Sequence, residues 1–313
     1  MKLSDDSDAV DIGVICGPTA AGKSAIALWI AGRMPVTIIA ADSRQIYRAF
    51  DIGTAKPRTD EQARVPHRGI DIVDPSERYS AAAWAYSANA WIDEAKRAAR
   101  LPLIVGGTGL YLRALFDGLF EEPAFDADRR EHIRVALSAL DSVELRRWVT
   151  RLDPARAHLG RVQLLRAVEV ALLSGRRLSD LHRTAIRPPR WTPRYLVVDP
   201  GTALGDRIGS RTDDMLENGW PDEVERLMHT VPAEAPAWKA AGYDTVRQLV
   251  CGTLTRSSAR DAITISTRQY AKRQRTWFRH QLPAARVTHV DPLAAGWMTT
   301  VTAWLGSTLG VAR

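Results

Sequence analysis

Gly17-Pro18-Thr19-Ala20-Ala21-Gly22-Lys23-Ser24 is a complete G-x-x-x-x-G-K-[ST] phosphate loop, and what flanks it decides the fold. The apolar run Ile12-Gly13-Val14-Ile15-Cys16 precedes it, and Ala25-Ile26-Ala27-Leu28-Trp29-Ile30 follows. A buried strand, a Gly-rich turn and a helix start aim backbone N–H groups at phosphate oxygens. Lys23 adds a point charge between two phosphates, and Ser24 a hydroxyl suited to Mg2+. The loop alone does not say whether the phosphate belongs to a nucleotide.

Working outward, short apolar runs alternate with helical patterns. Strands are expected at Ile12 to Cys16, Val36 to Ala41, Gly69 to Val73, Pro102 to Gly106 and Tyr195 to Asp199. The first four recur at roughly 20–30 residues, the spacing of βαβ units around a parallel sheet. Helices are expected at Ala81 to Arg100 and Leu110 to Leu119. Strand-like runs then vanish, and charged helical patterns cover Asp128 to Leu140, Ser142 to Leu152 and Arg161 to Leu173. After one more strand come helices at Ala203 to Asn218, Asp222 to Met228, Tyr243 to Val250, Arg260 to His280 and Ala294 to Val311. The fold class is therefore α/β: a P-loop NTPase-like parallel sheet flanked by helices, with a small all-helical insertion. The core is assigned to residues 1–120 and 191–313, and the insertion to 121–190.

Composition narrows the class of function. With 313 residues, 45% hydrophobic and 25% charged, the chain is ordinary for a globular protein of about two domains. No apolar stretch approaches the roughly 20 residues of a membrane span. Met1-Lys2-Leu3-Ser4-Asp5-Asp6 lacks the form of a secretory signal, and Cys16 and Cys251 are too few for a disulfide framework or structural zinc site. A reducing cytoplasm is expected, with Cys16 acting as a small hydrophobe in the core. Nothing demands more than a monomer. The net charge of +7 permits a polyanionic partner.

Ala41-Asp42-Ser43-Arg44-Gln45-Ile46-Tyr47 ends the second strand, so Asp42 falls on the same sheet edge as the phosphate loop. A carboxylate there can bind a cation, accept a substrate proton, or cap the next helix. Asp51-Ile52-Gly53-Thr54-Ala55-Lys56-Pro57 and Val65-Pro66-His67-Arg68-Gly69-Ile70-Asp71 crowd polar side chains near that edge; His67 has no metal-spaced partner and reads as structural. Val105-Gly106-Gly107-Thr108-Gly109 repeats the strand, Gly-rich turn, helix arrangement and brings Thr108 to the edge, or serves only as a tight turn. Arg207 and Arg211 lie four apart on one helix face, either solvated or turned to phosphate. Thr267 to Arg279 is the densest basic–aromatic segment. On a helix, Arg268, Lys272, Arg275 and Arg279 form a cationic stripe, with Tyr270, Trp277 and Phe278 as anchors. Such a stripe suits an RNA backbone, or a charged helix packed on the domain.

Together these segments resemble the tRNA dimethylallyltransferase (tRNA isopentenyltransferase) family. The carriers are the phosphate loop, Asp42-Ser43-Arg44-Gln45-Ile46-Tyr47, Asp51-Ile52-Gly53-Thr54-Ala55-Lys56-Pro57, Gly106-Gly107-Thr108, Arg166-Ala167-Val168-Glu169, Arg207-Ile208 with Arg211, Ala241-Gly242-Tyr243 and the Thr267 to Arg279 helix. They run in the family's order from about residue 11 to 280. The resemblance implies transfer of a dimethylallyl group from its diphosphate to N6 of the adenosine just 3′ of a tRNA anticodon. It implies Asp42 as the base, with Thr108 orienting the amine or the diphosphate. Gly17 to Ser24 and Arg211 would hold the diphosphate, with Mg2+ at Ser24. Asp42, Ser43, Arg44, Gln45, Thr108, Arg130, Gln163, Arg166, Lys272, Arg273 and Gln274 are implied near the RNA. One departure is visible. Where many members carry Asn or Asp and then Arg before the position of Arg166, this chain has Gly160 and Gln163, with Arg161 as the candidate substitute.

A small-metabolite kinase would use ATP at the same loop but leaves the Thr267 to Arg279 helix unexplained. A GTP-driven switch would be expected to carry Asn-Lys-x-Asp, which is absent.

Overall fold

The computed structural model describes residues 10–117, 125–184 and 190–309. The chain divides into two units, Met1–Phe116 with Arg190–Arg313, and Asp117–Pro189.

The first unit is built on six parallel strands: β1 (Val10–Cys16), β2 (Val36–Ala41), β3 (His67–Arg68), β4 (Leu101–Gly106), β5 (Trp191–Val198) and β6 (Val287–Val290), in the spatial order β3-β2-β4-β1-β5-β6. Every residue of β2 is buried, as a parallel strand covered on both faces requires. On one face α1 (Lys23–Ala31) sets Ile26, Ala27 and Ile30 into a core with Ile15, Ile38 and Leu103. Each of these isoleucine and leucine side chains contributes about 1.5–3 kcal/mol on burial. The other face is closed by α3 (Ala81–Arg97), which follows the short α2 (Thr59–Arg64). Trp84 of α3 is fully buried, and its indole N–H donates to the Ala40 carbonyl at 3.0 Å. Helix α4 (Gly109–Phe116) continues this layer, with Tyr111 stacked on Trp84.

The expected third strand at Gly69 to Val73 is corrected. Pairing falls on His67–Arg68, opposite Ile38 and Ile39, and Val73 makes only an isolated bridge to Tyr47. Gly69 at φ 81° and Asp71 at φ 55° turn the chain out of extended geometry there. Strand β6 carries only Val287, Thr288, His289 and Val290, a run too short for the alternation rule to register.

The second unit holds α5 (Ala127–Ser138), α6 (Ser142–Leu152), α7 (Arg161–Ser174) and α8 (Leu178–Thr184). Asp141 caps α6 by accepting from the Val143 and Glu144 amides, while the Glu144 side chain accepts from the Asp141 N–H. Leu137, Leu145, Val149, Leu164 and Val168 form its core. Helix α8 was not anticipated; seven residues give too little periodicity. The part of the expected 110–119 helix beyond 117, and residues 310–311 of the last one, lie outside the described residues.

Returning to the first unit, α9 (Leu204–Glu217), α10 (Trp220–Thr230), α11 (Tyr243–Val250) and α12 (Arg256–Gln281) follow β5, and α13 (Trp297–Leu309) closes the chain against β1. Trp220 is wedged between two turns. A Cβ on Gly53 would lie 2.3 Å from its ring, and one on Gly242 would lie 2.4 Å from it. Only glycine permits that approach from both sides. Among the described residues no helix is long and apolar enough to cross a membrane.

Candidate active site

The phosphate loop leaves β1 at Cys16, whose thiol is buried and pushed by that burial up to about 12. Gly17 has φ 142°, and a Cβ there would meet the Val198 carbonyl oxygen at 2.2 Å, so the loop starts hard against β5. Gly22 caps α1 in the left-handed region, and the helix begins at Lys23. The first-turn N–H groups of α1 therefore face the loop's concavity, an arrangement that attracts anions. The Lys23 ammonium donates to the carbonyls of Gly17 at 3.0 Å and Pro18 at 2.7 Å. Burial lowers its pKa to about 8; Asp42 pulls it upward and Arg211 pushes it down.

The same loop is braced from α9 and α12. Arg207 Nε donates to the Ala20 carbonyl at 2.9 Å, and Arg211 Nη1 lies 3.5 Å from Thr19 Oγ1. The pKa of Arg211 is lowered by burial, with the Asp42 charge opposing that shift. The two arginines expected on one face of α9 thus both reach the phosphate loop.

Two further turns complete the edge. In β2, positions 38, 40 and 42 share one face, so Asp42 stands above Ala40 and Ile38 at the strand's carboxyl end. Its Oδ1 accepts from the Arg44 amide at 2.8 Å, a local turn that fixes the carboxylate's orientation. Thr108 Oγ1 accepts from the Ser43 amide at 3.0 Å, and the Thr108 amide donates to Ala41 O at 3.1 Å, tying the β4 turn to the β2 turn. A cavity of about 790 Å3 opens over this edge; Thr19, Lys23, Ser24, Asp42, Arg207 and Arg211 line it. Asp42, Arg211 and Tyr270 also line a smaller cavity of about 80 Å3, together with Arg44. Burial holds the Tyr270 phenol up at about 12, which keeps it a hydrogen-bond donor.

Several residues anticipated near RNA bond to the protein itself. Gln274, anticipated near RNA, is buried; its Oε1 accepts from the Thr19 amide at 2.8 Å and its Nε2 donates to Gly107 O at 2.9 Å. Both ends of the amide bridge the two Gly-rich turns. Two arginines of the cationic stripe on α12 bond to protein, and one of them, Arg268, stays exposed. Arg275 donates from Nε to Asp199 at 2.8 Å, from Nη2 to the same carboxylate, and on to the Gly201 carbonyl at 2.6 Å, while Arg268 donates to Gly205 O at 3.2 Å. Lys272, Arg273 and Arg279 remain exposed. Gln45 donates to the Thr54 and Ala55 carbonyls at 3.1 and 2.9 Å, holding the Asp51–Pro57 loop. His67 has its Nδ1 2.8 Å from Val65 O, and its ring also lines the 790 Å3 cavity.

In the helical unit, Arg130 Nε and Arg166 Nη1 donate to opposite oxygens of Glu169 at 2.8 and 2.7 Å. Burial alone would raise the Glu169 pKa; the hydrogen bonds from Arg166 and Arg130 overcome it and hold it below the ordinary range. Gln163 is exposed. Arg161, the candidate substitute, donates to Leu140 O at 2.6 Å and Ser138 O at 3.0 Å, at the end of α5.

Sequence reasoning quotes Lys56 within a motif without giving it a task, and passes over Glu223. Lys56 is buried and donates to Asp51 and Asp71, both at 2.5 Å, and to Tyr47 O at 2.8 Å. Glu223 accepts from the Asp51 and Ile52 amides at 3.1 and 2.7 Å and from the Tyr243 hydroxyl at 2.6 Å. The signal for Lys56 was its rarity, lysine occurring at only six positions in an arginine-rich chain. Glu223 lies in an ordinary amphipathic helix and gave none.

A family model described as IPP transferase matches residues 45–281. The chain is 41% identical over 271 residues to a tRNA dimethylallyltransferase of Synechococcus, covering 85% of this chain and 86% of that one. It is 40% identical over 292 residues to a tRNA dimethylallyltransferase of Bradyrhizobium, covering 90% and 94%. Among solved structures, the full-length tRNA isopentenylpyrophosphate transferase of Bacillus halodurans superposes with a TM-score of 0.68 at 31% identity, covering 96% of this chain and 97% of that one. A eukaryotic dimethylallyltransferase acting on tRNA has a TM-score of 0.82 at 23% identity, covering 95% and 78%, a likeness of fold.

Proposed function

This chain belongs to the IPP transferase family, and from that premise we propose that it moves a dimethylallyl group from dimethylallyl diphosphate to N6 of the adenosine 3′-adjacent to the anticodon in tRNA, releasing diphosphate. The observation that carries this reading is the meeting of Asp42, Lys23 and Arg211 in one cavity. A proton acceptor there stands beside a cationic cradle for a leaving group.

The exocyclic amine of adenine is a weak nucleophile, because its lone pair is delocalised into the ring. As the N6–C1 bond forms, the Asp42 carboxylate takes the N6 proton, and the C1–O bond breaks with its electron pair passing to diphosphate. Loop N–H groups, Lys23 and Arg211 stabilise the charge that develops on the departing oxygen. Thr108 acts on this step by holding the Ser43 amide beside Asp42. The base must leave its stack to reach C1. Lys272 and Arg273, exposed on α12, suit contact with the RNA backbone, as do the outward-facing Gln163 and the guanidinium groups at Glu169 within the helical unit.

Among the described residues no group of three or more His, Cys, Asp and Glu could hold a metal. The exposed Ser24 hydroxyl at the cavity wall would be the protein's ligand to an Mg2+ ion accompanying the diphosphate. When bound, such an ion neutralises charge on the diphosphate. Mixing the protein with tRNA, Mg2+ and labelled dimethylallyl diphosphate should label the RNA. Absence of label, alongside ATP turnover on a small acceptor, would favour a kinase instead.

A further inference from the structure

Arg207 and Arg211 approach the phosphate loop at different points. Arg211 sits at Thr19 and within reach of the Asp42 charge, at the end of the cavity where the C1–O bond would break. Arg207 meets the next residue of the loop and reaches on toward the start of α1. Its Nε is held by Ala20 O, and its Nη2 lies 3.5 Å from where a Cβ on Gly22 would be, beside the first turn of α1. Ala20 itself is left-handed at φ 61°, a conformation costly for alanine, so the Arg207 hydrogen bond stabilises a strained turn. Among the described residues, the Nη donors of Arg207 meet no acceptor, and the side chain is half-buried on the cavity wall.

A guanidinium anchored through Nε keeps its two terminal nitrogens in a fixed plane. That geometry matches two oxygens of one phosphate. We infer that Arg207 is a second diphosphate-binding arginine that grips the terminal phosphate, while Arg211 serves the phosphate bonded to carbon. The inference rests on the diphosphate reading of the cavity and divides that site into two subsites. Because the terminal phosphate keeps its charge as the C1–O bond breaks, Arg207 acts chiefly on affinity, and Arg211 chiefly on the rate of bond breaking.

The test is calorimetric binding of dimethylallyl diphosphate, dimethylallyl monophosphate and inorganic pyrophosphate, each with Mg2+, to the full chain and to Arg207→Ala and Arg211→Ala. Arg207→Ala should weaken both diphosphates about 10- to 100-fold, the range of a lost charge-assisted hydrogen bond, and leave the monophosphate within about 3-fold. Arg211→Ala should weaken the monophosphate too. In turnover, Arg207→Ala should raise KM for the donor more than it lowers kcat. Equal weakening of mono- and diphosphate by Arg207→Ala would mean a distorted loop and would overturn the inference, as would unchanged pyrophosphate affinity. If the unaltered chain bound pyrophosphate but not dimethylallyl diphosphate, and Arg207→Ala weakened that pyrophosphate binding, the clamp would stand and the prenyl reading would fall.

Discussion

The side-chain oxygen of Thr108 accepts the backbone N–H of Ser43 at 3.0 Å, across the ends of two neighbouring strands. Ser43 is the residue after Asp42, so this bond fixes where the carboxylate begins. It converts a Gly-Gly-Thr turn, a weak signal by itself, into the brace of the proposed base.

Thr108→Ala should therefore lower kcat by roughly 10- to 100-fold through misplacement of Asp42, while Thr108→Ser, which keeps the hydroxyl, recovers most of the rate. Steady-state kinetics on both variants check this. Equal loss in the two would show that the methyl group, not the oxygen, is what the turn needs.

Lys23 gives a pH signature. Its pKa in the free protein is lowered to about 8 by burial, so its charge is present below that pH and lost above it. Donor affinity, read as kcat/KM for dimethylallyl diphosphate, should fall progressively above about pH 8. A profile flat to pH 10 would contradict the assignment of Lys23 to the diphosphate.

Glu169 gives a second one, in stability. Its folded pKa lies below the ordinary value of 4.5, so the stabilisation it confers is present above that value and is lost as pH falls through the depressed pKa. Glu169→Gln should cost about 1–3 kcal/mol at neutral pH, with the difference from the unaltered chain shrinking in acid. Denaturant unfolding followed at Trp148, which lies on α6 of the same unit, reports it. The variant also frees Arg130 and Arg166 from their shared carboxylate.

The parallel sheet was legible because its buried strands are continuous apolar runs ended by Gly-rich turns, and the phosphate loop fixed where ligands gather. Four short elements escaped: β3, β6, α2 and α8 hold two to seven residues each, too few for periodicity to act. Motif residues were found more easily than their tasks. Gln274 and Arg275 sit in a basic string that reads as RNA-binding, yet both bond to protein, because their partners Thr19, Gly107 and Asp199 lie far away in sequence. Gly53 and Gly242 belong to two separate motifs, and only the fold shows that one tryptophan, Trp220, makes both necessary.

In the proposed reaction Asp42 takes a proton from the nucleophile while the phosphate loop holds a leaving diphosphate. The direct measurement is single-turnover transfer of label from dimethylallyl diphosphate to tRNA by the unaltered chain and by Asp42→Ala, with tRNA affinity measured in parallel. Transfer should be abolished in Asp42→Ala and affinity kept within a few-fold. Transfer at the unaltered rate in Asp42→Ala would contradict this role for Asp42.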